Sequence, residues 1–390
     1  MRTLSTSRSR DEEGGSWYSF AVLLGCVVVL LGLLFVPAVA PALLRAEHWA
    51  ADWRTAFLSG RLPTTHPDLA IVSVTEQSLE PFPYILPINR GYLADLVAAI
   101  EEAGARAIAL DFFFVRDTEE EPDRKLKQAL AKAKDKVILG VFEQLRRKAQ
   151  LDYQYDFISS IGAPAGFIDL LPDPDHVIRY RTAARPGTRH RESLSALMSG
   201  PFGWTGTPPE RIAWLLPPHD GKPTFLKIEA HRLLAASPEE RSGLLGGRVV
   251  IVGGELFTLD RHWTPLSLRT GTGMRGVEVH AQMAAELIDG NRSYSELGPD
   301  RARLFLASLA VLGIVLGLRF RSRRLDFLDW RVVSLAVIGL DLVLFRYWHI
   351  ILPFTLAAVA WVCGVTAGTQ FRNALVWSRA RWGGTRRVAK

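Results

Sequence analysis

LGGRVVIVGGEL, residues 245–256, followed after a polar loop by MRGVEVHAQMAAELI, residues 274–288, decides the fold of this 390-residue chain. Val249, Val250, Ile251 and Val252 form a run of four β-branched residues between glycines. No polar residue alternates with them, which is the pattern of a strand buried on both faces. Val277, Ala281, Ala284 and Leu287 then recur at helical spacing, so the second stretch predicts a helix covering that strand. A strand buried on both sides needs neighbours, and residues 69–74 (LAIVSV), 107–114 (AIALDFFF) and 137–142 (VILGVF) supply them. Helical stretches at 89–103 and 122–134 separate these runs, with Asn89 as the N-cap of the first. This βαβαβ order predicts an α/β domain with a mainly parallel sheet flanked by helices.

The later part of the domain reads less regularly. Residues 165–171 and 177–182 flank the turn PDPDH and predict a hairpin. Residues 186–223 are rich in Pro and Gly and predict an irregular excursion, after which 225–236 predicts a helix.

The two ends of the chain are apolar. No Asp, Glu, Lys or Arg interrupts residues 17–44, a run longer than the roughly 20 residues that cross a bilayer as a helix. A signal peptide cleaved after Ala38-Val39-Ala40 is the alternative; Pro41 directly after that site and the length of the run favour an uncleaved span. Residues 302–320, 331–348 and 350–371 predict three more spans, the first two short and dependent on flanking arginines. The expectation is therefore a four-helix transmembrane portion, one N-terminal and three C-terminal spans, around an outer domain at 45–298. Trp49, Trp53 and Phe57 extend the first helix outward with aromatic residues suited to the lipid interface.

Charge sets the expected orientation. Residues 1–16 carry Arg2, Arg8 and Arg10, the 319–331 loop carries five arginines, and the tail at 372–390 carries six basic residues and no acid. The formal net charge of +7 is therefore concentrated beside the spans. It predicts cytoplasmic termini and a periplasmic or extracellular 45–298 segment on a bacterial inner membrane. It excludes the footprint of a nucleic-acid binder, whose basic residues would lie on the folded domain. The two cysteines, Cys26 and Cys363, fall inside expected spans, so the outer domain has no disulfide and must rest on its core.

An ordered set of stretches resembles the cyclase- and histidine-kinase-associated extracellular sensory (CHASE) domain of the second type. They are DWR at 52–54, PDLAIVSV at 67–74, PINR at 87–90, GARAIALDFFF at 104–114, GFIDLLPDPDHVIRY at 166–180, LGGRVVIVG at 245–253 and GVEVHA at 276–281. The resemblance covers about 45–298 and implies an extracytoplasmic sensor anchored by one span before it and three after it. Family members often carry an acidic pair after the first strand, where this chain has Thr75-Glu76. They usually end in a kinase or cyclase, whereas this sequence stops about 20 residues after its last expected span. The expectation is a sensor whose output lies in another protein.

Glu76, Asp111 and Glu255 follow or end expected strands, and ligands in open α/β sheets bind outside the carboxyl ends of strands. Asp111 stands among apolar residues and needs a partner if buried; Arg90, opening a helix, is the candidate. Such a set serves either as a structural ion pair or as ligand contacts, and the candidate ligand-binding residues are Glu76, Arg90, Asp111, Glu255 and Asp260. No nucleophile–base pair stands out, and no catalysis is expected. Asp260, His262, Glu278 and His280 are metal-ligand types but lack the spacing of a structural zinc site, so neither metal nor cofactor is expected. GTGMRG at 271–276 matches GxGxxG but does not directly follow a strand and reads as coincidence. NRS at 291–293 matches a glycosylation sequon, a pattern common by chance.

Within the expected spans, Gly313, Gly317, Gly364 and Gly368 form two GxxxG motifs, which let helix backbones approach closely. Asp341 lies near the middle of the 331–348 span, where a carboxylate usually faces protein. These five residues are the candidate helix-packing set. The leading functional reading is a non-enzymatic membrane sensor subunit that signals through its helices to a separate effector. The alternative is a structural or assembly subunit of a larger membrane complex. Membrane lipid, a partner protein carrying the output, and a homo-oligomer are the expected partners; nucleic acid is not.

Overall fold

The computed structural model describes residues 21–29, 32, 41–184, 186–203, 210–256, 260–290, 294–319 and 323–385. The chain divides into two units: residues 55–294, and residues 1–54 together with 295–390. Residues 21–29 (α1) and Pro41–Leu58 (α2) are helical. The first unit then runs β1 (Leu69–Val74), α3 (Glu76–Leu79), α4 (Arg90–Glu102), β2 (Ala107–Asp111), α5 (Glu120–Lys132), β3 (Val137–Val141) and α6 (Lys148–Ile161). It continues with β4 (Ala165–Phe167), α7 (Leu194–Ser199), β5 (Leu226–Glu229), α8 (Ala230–Ala235), α9 (Pro238–Leu245) and β6 (Val249–Gly254). It closes with β7 (Arg261–His262), α10 (Ser267–Thr270), β8 (Met274–Arg275) and α11 (Gly276–Asp289).

Six strands form a wholly parallel sheet in the order β4-β3-β2-β6-β1-β5. The β6 run predicted to be buried on both faces lies between β1 and β2, with Val250 level with both Ala70 and Ile108. Its residues alternate between two cores. Val250 and Val252 join Ala70, Val72, Ile108 and Leu110 beneath α4, α5, α6 and α8, through Leu96, Leu126, Phe157 and Leu233. Val249 and Ile251 join Leu69, Ile71 and Ala109 beneath α7 and α11, through Met198, Val277, Ala281 and Ala284. Burying each such aliphatic side chain contributes about 1.5–3 kcal/mol. The helices that follow β1 and β2 thus lie on one face, and the helix that follows β6 lies on the other.

Four sequence readings need correction. The second strand stops at Asp111, which faces Gly253 at the end of β6; Phe112–Phe114 leave the sheet because no partner continues beyond that pair. Residues 165–182 do not form a hairpin: β4 joins β3 in parallel, and Val177 and Tyr180 make only isolated bridges, to Trp263 and Arg211. Arg179 gathers the intervening turn, 2.8 Å from Asp173 and 2.7 Å from Asp175. The 186–223 excursion contains α7, capped by Ser193, with Leu194 and Met198 buried against the sheet. Residues 226–229 form the edge strand β5 before the predicted helix begins, and the alternation in LKIE is its signal.

In the second unit, β9 (Ser295–Glu296) pairs in parallel with β10 (Ile350–Ile351), beside α12 (Pro299–Arg319), α13 (Arg323–Trp348) and α14 (Phe354–Thr385). Among the described residues two helices are long and apolar enough to cross a membrane, Pro299–Arg319 and Phe354–Val376. Four spans were expected. Of the first, only 21–29, 32 and 41–44 are described; α13, though 26 residues long, carries charges that include Asp341 and Arg346, too many for its apolar content. The 1–16 segment and the 291–293 sequon lie outside the described residues.

The two GxxxG motifs face one another. A Cβ on Gly313 would stand 2.9 Å from the Val365 nitrogen, and one on Gly364 would stand 2.5 Å from the Ala310 oxygen. On Gly317 and Gly368 it would collide with the Val365 and Ile314 carbonyls respectively. The α12 and α14 backbones therefore touch directly, the approach that only glycine permits. Asp341 of α13 pairs with Arg54 of α2 at 2.5 Å, both side chains 4% exposed. Two α2 turns away, the Glu47 carboxylate accepts the Phe354, Thr355 and Leu356 amides at 2.8, 2.8 and 3.2 Å and so caps α14.

Candidate functional site

The opposite faces taken by the helices after β6 and its neighbours create divergent loops at the carboxyl ends of these strands, the place where open α/β sheets form crevices. Two hollows open there, one on each side of β6. The first, about 820 Å³, is bounded by Asp111 at the end of β2, the Phe112–Phe114 loop, Phe142 after β3, Gly254 of β6 and the start of α11. The second, about 770 Å³, lies at the ends of β1, β5 and β6 and contains Glu76, Lys227 and Glu255.

The five candidate ligand residues are accordingly divided. Arg90, Asp111 and Asp260 line the first hollow, and Glu76 and Glu255 the second. Glu255 is 2.6 Å from Lys227, which also reaches Glu278 at 3.1 Å, so this hollow is walled by ion pairs. Glu76 opens α3, whose capping box is made by Thr75 and Ser78.

Arg90 is not the partner of Asp111. Its guanidinium lies 3.0 Å from Asp123, donates to the Arg116 carbonyl, and sits over the Phe114 and Phe157 rings. The neighbour of Asp111 is His280 of α11, whose Nε2 is 3.8 Å from Oδ1. Sequence reading grouped His280 with possible metal ligands and did not connect it with Asp111. The signal was present in the helical spacing of 277–287, which turns His280 toward the sheet together with Val277 and Ala281 and Ala284.

Asp260 completes the cluster. It holds a left-handed backbone, φ 56°, and accepts from His262 at 2.7 Å. Its carboxyl group fills the space where a Cβ on Gly276 would stand, at the first residue of α11. The last glycine of the GxGxxG match therefore admits a side chain of this protein. Asp260 also benefits from the positive end of the helix dipole there.

The three titrating groups are pushed apart. Burial, and then the Asp260 charge, raise the Asp111 carboxyl well above the usual range. Burial lowers the His280 imidazole to about 4, against the opposing pull of Asp260. Burial also acts to raise Asp260, but the His262 hydrogen bond and charge, with His280, outweigh it and the net shift is downward. At neutral pH His280 is therefore neutral, and of the two carboxyls Asp111 holds its proton the more tightly and Asp260 the less. Among the described residues no group of three or more His, Cys, Asp or Glu side chains is arranged to hold a metal ion. The first hollow is a largely apolar cavity with a few convergent polar groups, the usual composition of a small-molecule site.

A family model described as the CHASE2 domain matches residues 25–318, well over half of the chain. No curated protein and no solved structure matches it.

Proposed function

The chain belongs to the CHASE2 domain family, and from that membership we propose that it is a membrane-anchored extracytoplasmic sensor subunit. The family's domain is an extracellular sensory one. The ligand enters the 820 Å³ cavity between β2, β6 and α11, where Asp111, Asp260 and His280 converge. That cavity is the single observation that carries the reading, because it places polar groups with displaced proton affinities inside an apolar, ligand-sized hollow. Arg90 braces its wall.

In this reading residues 45–298 lie outside a bacterial inner membrane, both termini are cytoplasmic, and α1 and α13 join α12 and α14 as membrane helices. The arginines flanking these segments support that orientation. The signal passes through helix packing, not catalysis, to an effector in a separate protein, with the basic 372–390 tail as its cytoplasmic contact. The Arg54–Asp341 pair and the Glu47 cap of α14 support a mechanical role for α2, since both tie it to the C-terminal helices.

The test is purification of the intact chain in mild detergent, followed by mass spectrometry and size analysis. A stoichiometric partner with kinase, cyclase or transport activity is the expected result. Recovery in a large fixed assembly of envelope proteins, with no such activity, would replace the sensor reading with an assembly subunit.

A further inference from the structure

We propose that the cavity between β2, β6 and α11 binds an uncharged, largely aromatic small molecule carrying one hydroxyl or carbonyl group, which meets the Asp111–His280 pair. The inference rests on the sensor reading for the place of the site and adds the chemistry of its occupant.

Three observations carry it. The walls are aromatic: Phe112, Phe113 and Phe142 line the cavity, and the Phe113 and Phe142 rings stack at 5.3 Å. Phe113 is nevertheless 46% exposed, an aromatic face available to a ring in offset or edge contact. Next, the inner end presents an unfinished polar pair. His280 is 2% exposed, and its Nδ1 makes no hydrogen bond of normal geometry, with the Ile168 backbone acting on the ring. The Asp111 side chain, 8% exposed, approaches the ring only at 3.8 Å. A buried polar atom without a partner is destabilising until something bonds it. Last, the charged groups inside the cavity are already engaged. Arg90 is held by Asp123 and the Arg116 carbonyl, and Asp260 by His262. Arg116 lies on the lining but is exposed, so water solvates its charge and it demands no anion. An anionic ligand would meet the negative Asp260 carboxylate, and a cationic one would find that carboxylate already taken by His262. A neutral group that both donates and accepts satisfies Asp111 and His280 together.

The experiment uses the full chain in lipid nanodiscs and four probes of one shape: 4-biphenylmethanol, biphenyl, biphenyl-4-carboxylate and 4-biphenylmethylamine. Binding is read from the shift in thermal unfolding followed by tryptophan fluorescence, with protein-free nanodiscs correcting for partition into lipid. The alcohol should bind about fivefold more tightly than the hydrocarbon, the ratio that one net hydrogen bond supplies. The acid and the amine should bind more weakly than either. Asp111→Asn, which keeps a side chain of the same shape that can donate and accept, should keep the preference for the alcohol, and Asp111→Leu should erase it. Equal binding of all four probes, tightest binding of the acid or the amine, or no binding at all would overturn the proposal, and the wild-type comparison needs no variant to fold. An effector that co-purifies with a chain that binds no probe refutes the ligand class and leaves the sensor reading standing. Selective binding of the alcohol with no effector does the reverse.

Discussion

Replacing His280 with glutamine should remove an acid-labile component of stability whose size follows from burial. The imidazole is held near pKa 4 in the fold and returns to about 6.5 when the chain unfolds. A depressed histidine is neutral in the native state while the unfolded state takes up a proton. Its contribution is therefore complete above pH 6.5 and lost as the pH falls toward 4. The difference in proton affinity corresponds to about 3 kcal/mol across the whole interval, of which about 2 kcal/mol is gone by pH 5. Asp111 works in the opposite direction, since its raised carboxyl affinity favours the fold as acid is added. Asp260, His262 and Arg181 also act on the ring. All four remain in the variant, so the difference between the two proteins isolates His280. Urea unfolding of the wild type and His280→Gln, measured between pH 8 and pH 4.5, should give curves that converge by about 2 kcal/mol toward pH 5. Parallel curves, or a ring proton that titrates near 6.5 in NMR spectra of the folded chain, would refute the reasoning.

Three further substitutions probe the rest of the architecture. Gly276→Ala puts a methyl group where the Asp260 carboxyl now lies; overpacking of this kind costs about 1–3 kcal/mol, which urea unfolding should show as a lower midpoint. Arg54→Met leaves Asp341 buried without its cation and should destabilise the helical unit by about 3–5 kcal/mol, whereas Arg54→Met with Asp341→Leu should recover most of that loss in thermal unfolding. Gly317→Leu forces α12 away from the Val365 carbonyl of α14; engineered-cysteine cross-linking between these helices should fall sharply, while the same substitution at Gly339, which meets nothing within 4 Å, should leave it unchanged.

The centre of the sheet was legible because its physics is local. Four β-branched residues between glycines have few ways to be buried, and β6 lies where that run demands, with all four side chains fully inaccessible. The edges were not. LKIE of β5 is short and half exposed, so its alternation is outweighed by the helical residues that follow. The turn at 172–176 looked like a hairpin because two apolar arms flank it, but strand pairing is decided by distant partners, Trp263 and Arg211, that no local pattern names. The candidate site was half legible. The end of β2 identified Asp111, since a carboxylate after AIAL must sit at a strand terminus. Its companion could not be named, because Asp111 and His280 meet only through β6, which pairs with β2 and carries α11 behind it. Arg90 shows the converse: proximity in the sequence pattern suggested a pair, and Asp123, three residues into α5, proved nearer.

Under the sensor reading proposed above, the order of the strands suits the cavity to report occupancy. β6 is the last strand of the sheet in sequence and lies in its middle, so β1 and β2 are joined only through a segment that arrives about 140 residues after β2. Contacts of such high sequence separation form late and depend on the whole domain. One wall of the cavity belongs to the early elements, through Asp111 and Phe112, and the other to the late insertion, through Gly254 and His280. A molecule held between them binds the closed arrangement and not one in which α11 has moved off the sheet. At one hundred times its dissociation constant it would favour the closed form by about 2.7 kcal/mol. That is enough to shift a two-state equilibrium about a hundredfold. The second hollow also joins an early wall, at Glu76, to a late one, at Glu255, but its charged groups are already paired around Lys227 and offer a neutral molecule less. The side of β6 that holds the unfinished polar pair is therefore the side on which the proposed molecule gains most from the closed arrangement.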